Sequence, residues 1–273
     1  MTLSTTERRP VELPPTEPVP SVPAAAEVPR RAWVEQIMGM PISIHVRGPM
    51  AEAPLTARAV ADAFTELRRI DSVFSTYRED SVISRVRRGE IRLADCPPEV
   101  LEVHMLCRQA RERTDGWFDA WRWSDGFDPT GLVKGWAIAR AATLLEDVEG
   151  DVAIDAGGDV LVRSAADAPW RVGIEDPRDR TQVLAWVDVT DGAVATSGPA
   201  ARGAHIIDPF SGEAVTGILS ATVIGPSIVW ADVLATAVVA RGEQAVEWVQ
   251  TLHGTSGVIV LADGRVHRWS NPV

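Results

Sequence analysis

The sequence predicts an α+β fold, with mostly antiparallel sheet and helices packed on it in a single domain, and three observations carry that prediction. Between residues 54 and 145, apolar side chains recur at the three- and four-residue steps of helix faces. Beyond Gly150 the pattern changes to period two, the signature of half-buried strands. Clusters of Gly, Asp and Pro cut the period-two region into short runs, so helices and strands are largely segregated along the chain.

Each element follows from local chemistry. Residues 1–32 hold 7 of the 19 prolines and show no apolar periodicity, so they read as a disordered tail preceding a domain at 33–273. Trp33–Met38 and Ile42–Arg47 alternate around Gly39 and Pro41 and read as a hairpin. From Pro54 to Tyr77, Leu55, Ala59, Ala63, Leu67 and Ile70 define one apolar helix face. A second helix is expected over 98–113 and a third over 133–145, after a turn at Gly131. Strands are expected at 152–155, 159–163, 170–174, 183–189, 193–196, 204–207 and 218–224. A helix over 228–241, with a second after Gly242, precedes a closing hairpin, 257–261 and 265–269, around Ala262-Asp263-Gly264.

Composition excludes several classes. With 45% hydrophobic and 24% charged residues the chain is neither disordered nor fibrous. A net charge of −11 argues against a nucleic-acid groove, which needs a basic face to displace counterions. No run of about 18 consecutive apolar residues exists to form a membrane span. The tail has neither an apolar signal region nor a lipobox cysteine, so a cytoplasmic location is expected. Cys96 and Cys107 match no CxxC or zinc spacing and read as two buried thiols. Of 27 basic residues only Lys134 is lysine, and Tyr77 is the sole tyrosine, so both positions merit tracing.

Four polar clusters sit at element ends. The first runs from Asp71 to Ser81, where Tyr77 suits stacking against a heteroaromatic ligand or, equally, covering the rim of the core. The second runs from Asp115 to Gly135. There Gly131 and Gly135 flank a helix onset whose free N–H groups favour an anion, and Lys134 adds a positive charge, unless it is a plain surface lysine. The third, Asp155-Ala-Gly157-Gly158-Asp159, offers two carboxylates beside a tight turn, for a ribose or metal or simply for solvent. The fourth joins Ser197-Gly198, His205-Ile-Ile-Asp208 and Ala231-Asp232 with Ala235-Thr236. Asp232 and Thr236 lie four apart on one helix face and form a plausible hard-cation site, or a helix-end carboxylate acting through the dipole. His205 is either structural or a proton acceptor.

Taken in order, Met38-Gly39-Met40, Phe74-Ser-Thr-Tyr77, Gly116-Trp-Phe118-Asp119, Asp128-Pro-Thr-Gly-Leu-Val-Lys134-Gly135, Asp155-Ala-Gly-Gly-Asp159, Thr196-Ser-Gly198, His205-Ile-Ile-Asp-Pro209 and Ala231-Asp232 with Ala235-Thr236 resemble the ApbE family of FAD:protein FMN transferases. The resemblance implies a T-fold-like domain that binds FAD and, with Mg2+, transfers FMN to a threonine or serine hydroxyl of a partner flavoprotein, releasing AMP. It implies FAD contacts at Met38, Tyr77, Trp117, Phe118, Asp119, Asp128 and Lys134 and at Ile206 or Ile207. It further implies metal contacts at the Gly131 carbonyl, Asp232 and Thr236, with Ala235 where some relatives carry a second metal-binding aspartate, and catalytic roles for His205 and Lys134. The insertion usual after Asp119 is reduced to 120–127. Two alternatives accompany this reading: an FAD pyrophosphatase yielding FMN and AMP, and a non-catalytic FAD-binding protein. Asp191-Gly-Ala-Val194-Ala-Thr196 is similar to the acceptor motif of flavinylated proteins, but Val194 lacks the hydroxyl, which excludes self-modification there.

Overall fold

The computed structural model describes residues 28–121, 126–164, 168–199 and 206–271. Its entry hairpin pairs β1 (Arg30–Ile37) with β2 (Met40–Arg47), and the two-residue turn is Met38-Gly39, both at positive φ. Such mirror-image turns match the twist of the strands they join. The first strand therefore begins at Arg30, so Arg30–Ala32, expected in the tail, belong to the domain. Residues 1–27 of that tail lie outside the described residues.

Helices follow. α1 (Pro54–Phe74) buries Val60, Phe64, Leu67 and Ile70 and ends three residues before Tyr77, which it leaves in a loop. α2 (Val82–Arg87) is not predicted by periodicity, being too short to show any; it starts where the Ser81 hydroxyl accepts the Ser84 N–H. α3 (Pro98–Arg113) falls at the expected bounds. α4 (Thr130–Thr143) begins earlier than expected and takes Gly131 into its first turn, because the Asp128 carboxylate accepts from the Thr130 N–H and hydroxyl.

The period-two region gives β3 (Asp151–Ala156), β4 (Asp159–Arg163), β5 (Trp170–Asp176), β6 (Asp179–Val189), β7 (Asp191–Ser197) and β8 (Ile218–Gly225). α5 (Ile228–Arg241) follows. The helix expected after Gly242 is broken into two 3-10 turns around α6 (Ala245–Trp248). β9 (Thr255–Leu261) and β10 (Val266–Asn271) close the chain. The strand expected at 204–207 is reduced to an isolated bridge between Ile207 and Ala214, with 204–205 outside the described residues.

One antiparallel sheet takes the order β1-β2-β3-β4-β7-β8-β9-β10. α4 and α5 pack on one face, and α1 packs on α4. Ile44, Ile154, Leu67, Ile70, Ile138 and Ile228 are fully buried between these layers. The β5–β6 ribbon covers part of the opposite face, where Val189 meets Ala153, Val162 and Val194. Among the described residues no helix is long and apolar enough to cross a membrane. Cys96 and Cys107 are buried free thiols, and burial pushes both thiol pKa values up.

Candidate active site

A cavity of about 740 Å³ opens where the β1–β2 turn, the end of α1, the Phe118–Ala120 segment, the start of α4, the end of β7 and one face of α5 converge. Its size suits a nucleotide-scale ligand. Ten of the expected site residues line it: Met38, Tyr77, Phe118, Asp119, Asp128, Gly131, Lys134, Ile206, Asp232 and Thr236.

The polar floor depends on how closely two helices approach. A β-carbon at Gly135 of α4 would stand 3.0 Å from the Ile228 carbonyl oxygen of α5. That contact is the structural reason for the glycine. The approach brings Lys134 Nζ within 3.3 Å of Asp232 Oδ1. Lys134 also pairs with Asp159, a wholly buried carboxylate whose Oδ1 accepts the Thr196 N–H at 2.9 Å. Beside them the Ser197 and Thr236 hydroxyls share a hydrogen bond at 3.0 Å. Lys134 is thus neither a plain surface lysine nor a lone positive charge at a helix end.

The two carboxylates of the Gly-Gly turn separate. Ala156 pairs with Asp159 across the two-residue turn, so Asp159 shares the helix-covered face, whereas Asp155, one residue earlier, points to the other. Asp155 accepts the Gly158 N–H at 2.9 Å, and burial raises its carboxyl pKa. It does not line the cavity, whereas Gly157 does.

The opposite wall is apolar and aromatic. Tyr77 is 96% exposed, so it covers no core and its ring is available to a ligand. Phe118 is buried, held by its N–H donating to the Thr114 hydroxyl, and its ring lies where a β-carbon on Gly131 would approach to 3.2 Å. Met38 adopts φ +55°, a left-handed conformation costly for a side chain of that size and often concentrated at functional sites. Asp119 accepts the Trp121 N–H and meets Arg111 at 3.2 Å.

Three expected residues stand elsewhere. Trp117 packs edge-on against Phe210, ring centres 4.9 Å apart, and is not part of the lining. Ile207 forms the bridge to Ala214, so Ile206 alone of that pair faces the cavity. Ala235 is fully buried in the core, and its methyl side chain carries no donor for a cation. His205 lies outside the described residues. Asp71, Gly157 and Ser197, which the sequence placed in the polar clusters without a specific contact, line the cavity, and Asp159 of the third cluster pairs with its lysine. Turn parity at Gly157-Gly158 and the hydroxyl at the end of β7 were the available signals.

A divalent cation fits this donor set. Asp232 is a buried carboxylate on the cavity lining, and Thr236 and Ser197 add hard oxygen donors beside it. Among the described residues no group of three His, Cys, Asp or Glu side chains forms a metal cage. A cation here would complete its shell with ligand or solvent oxygens, as magnesium commonly does.

Known proteins share both the sequence pattern and the fold. The chain is 31% identical over 131 residues to an FAD:protein FMN transferase of Vibrio cholerae, spanning 43% of this chain and 39% of the relative. It is 30% identical over 160 residues to one of Klebsiella pneumoniae, spanning 53% and 45%. These alignments cover less than half of either curated relative. The crystal structure of the ApbE protein of Thermotoga maritima superposes with a TM-score of 0.77 at 23% identity, covering 88% of this chain and 97% of that one, and shows the shared fold. The family model described as the ApbE family matches residues 38–121 and 125–260, most of the domain, and the chain therefore belongs to the ApbE family.

Proposed function

We propose that this protein is an FAD:protein FMN transferase, which moves FMN from FAD to a threonine or serine hydroxyl of a partner flavoprotein and releases AMP. The observation that carries this reading is the pairing of half-buried Lys134 with the buried Asp159 and Asp232 at a nucleotide-sized cavity with an aromatic wall. Asp232, Thr236 and the Gly131 carbonyl would hold a magnesium ion, which when bound neutralises charge on the pyrophosphate.

The chain's own residues supply the rest. Tyr77 and Phe118 offer the faces that a flavin ring needs, and Met38 fits along the ring's edge. Lys134 places a fixed ammonium for the phosphates, already oriented by carboxylates, so little reorganisation is needed on binding. His205, by its resemblance to the family histidine, takes the proton of the acceptor hydroxyl. The acceptor oxygen then bonds to the FMN phosphorus, the bond to the bridging pyrophosphate oxygen breaks, and AMP departs with that oxygen and its electron pair.

Incubation with FAD, Mg2+ and a flavoprotein acceptor should yield AMP by chromatography and a fluorescent acceptor band on a denaturing gel. AMP in equal yield without acceptor would instead identify an FAD pyrophosphatase. FAD binding with neither product would identify a carrier, and no FAD binding would reject the whole reading.

A further inference from the structure

We propose that Ser81 is a positioning residue for flavin binding: its buried hydroxyl clamps the loop of residues 75–80 and so holds the exposed Tyr77 ring at the cavity. The proposal rests on the flavin reading above and extends it to a residue that is not part of the cavity lining.

Tyr77 has little of its own to hold it. At 96% exposure its ring gains almost no packing, so its place beside the cavity must come from the backbone that carries it. That backbone runs from the end of α1 at Phe74 to the start of α2 at Val82, and Ser75, Thr76 and Tyr77 all line the cavity. Phe74 fixes the first end, buried with its ring edge-on to Trp136 at 5.5 Å. Ser81, only 1% exposed, fixes the second. Its hydroxyl donates to the Ser75 carbonyl at 2.6 Å and accepts the Ser84 N–H at 3.0 Å, so one group closes the loop and caps α2. The Ser84 hydroxyl donates to the same carbonyl at 3.3 Å and is the weaker tie. Ser81→Ala would leave that weaker tie alone and uncap α2. The loop would then sample arrangements in which the ring leaves the cavity, and apparent flavin affinity falls with the fraction of molecules that keep it there.

Titration with FAD, read by flavin fluorescence and by the tyrosine itself, tests this apart from catalysis. Tyr77 is the sole tyrosine, so protein grown with meta-fluorotyrosine gives a single fluorine NMR resonance, which FAD should displace in the wild type. Ser81→Ala should weaken FAD binding by about 5-fold or more, up to the loss caused by Tyr77→Ala, and its displacement at saturating FAD should be smaller than that of the wild type. A merely structural role would lower the melting temperature and leave the displacement at saturation intact. Ser81→Ala combined with Tyr77→Ala should bind FAD within about twofold of Tyr77→Ala alone, because without the ring the clamp has nothing to place. If Ser81→Ala fails to fold, Ser84→Ala carries the test, with a smaller loss in the same direction that likewise vanishes in the Tyr77→Ala background. Wild-type affinity and displacement in Ser81→Ala, or in Ser84→Ala where it stands in, or additive losses in the double variant, would overturn the proposal. Equal FAD affinity in the wild type and Tyr77→Ala would overturn it while the flavin reading stands. Absence of FAD binding in the wild type would overturn the flavin reading itself, and this proposal with it.

Discussion

Gly135 on α4 lies so close to Ile228 on α5 that a β-carbon would stand 3.0 Å from the Ile228 carbonyl oxygen and equally close to the Val229 Cα. Both obstacles are backbone, which cannot rotate aside. Gly135→Ala should therefore push the helices apart. Overpacking of this kind costs about 1–3 kcal/mol, against roughly 1 kcal/mol that alanine gains over glycine within a helix. The expected net is a loss of about 1 kcal/mol in thermal unfolding. Transfer activity should fall by more than the folded fraction does, because Lys134 and Asp232 sit on the two helices being separated. A variant with wild-type melting and activity would show that the crossing is not tight.

Tyr77 presents the opposite case, a cavity-lining residue with almost no structural duty. At 96% exposure its removal takes nothing from the core, so Tyr77→Ala should change stability by no more than about 0.5 kcal/mol. Stacking of a ring on a base-like heterocycle contributes about 1–3 kcal/mol, so FAD affinity should drop by roughly 5- to 150-fold. Tyr77→Phe should retain most of it. Flavin fluorescence quenching gives the affinities, and equal values for the wild type and Tyr77→Ala would remove the tyrosine from the site.

These two residues illustrate what the sequence made legible. Tyr77 stood out because tyrosine is used once, and the ordered motifs grouped it with other residues of the cavity lining without any knowledge of packing. Helix α5 and the closing hairpin were visible because apolar periodicity and turn chemistry agreed there. The role of Gly135 was not legible, since the contact that demands glycine comes from a helix far along the chain, at Ile228 and Val229. Asp159 was legible in principle. A two-residue turn fixes strand parity, and parity alone sends Asp155 and Asp159 to opposite faces of the sheet. Trp117 could not be separated from Phe118, nor Ile206 from Ile207, because adjacency in a motif does not say which of two neighbouring side chains turns inward.

Asp232 and Thr236 allow the cation reading to be separated from a packing role. Asp232→Asn preserves shape but removes the charge, and should lower Mg2+-dependent transfer by about 100- to 1,000-fold, the scale of losing one electrostatic group in a catalytic site. Thr236→Val also preserves shape and removes only the hydroxyl that meets Ser197 at 3.0 Å. It should shift the Mg2+ concentration needed for half-maximal rate upward, with the rate recovered at high Mg2+. Rescue of both variants by added Mg2+, or of neither, would contradict the unequal roles assigned to carboxylate and hydroxyl.

His104 ties stability to pH near the same wall. Its ring lies edge-on to Trp121 at 5.2 Å and Phe127 at 5.3 Å, and those two rings stack 5.4 Å apart. The Asp128 N–H donates to the Ala120 carbonyl at 2.8 Å, so the cluster sits directly behind Asp119 and Asp128 of the cavity. Burial, and then the charge of Arg108, lower the imidazole pKa from its ordinary 6.5. The folded protein therefore resists protonation that the unfolded chain accepts. The stability due to neutral His104 is fully present above about pH 6.5 and is lost as pH falls through the lower folded-state value. Between pH 7 and pH 5 the melting temperature of the wild type should thus fall further than that of His104→Phe, which keeps an aromatic ring and cannot titrate. Parallel melting curves for the two proteins over that range would show that His104 is not buried against protons.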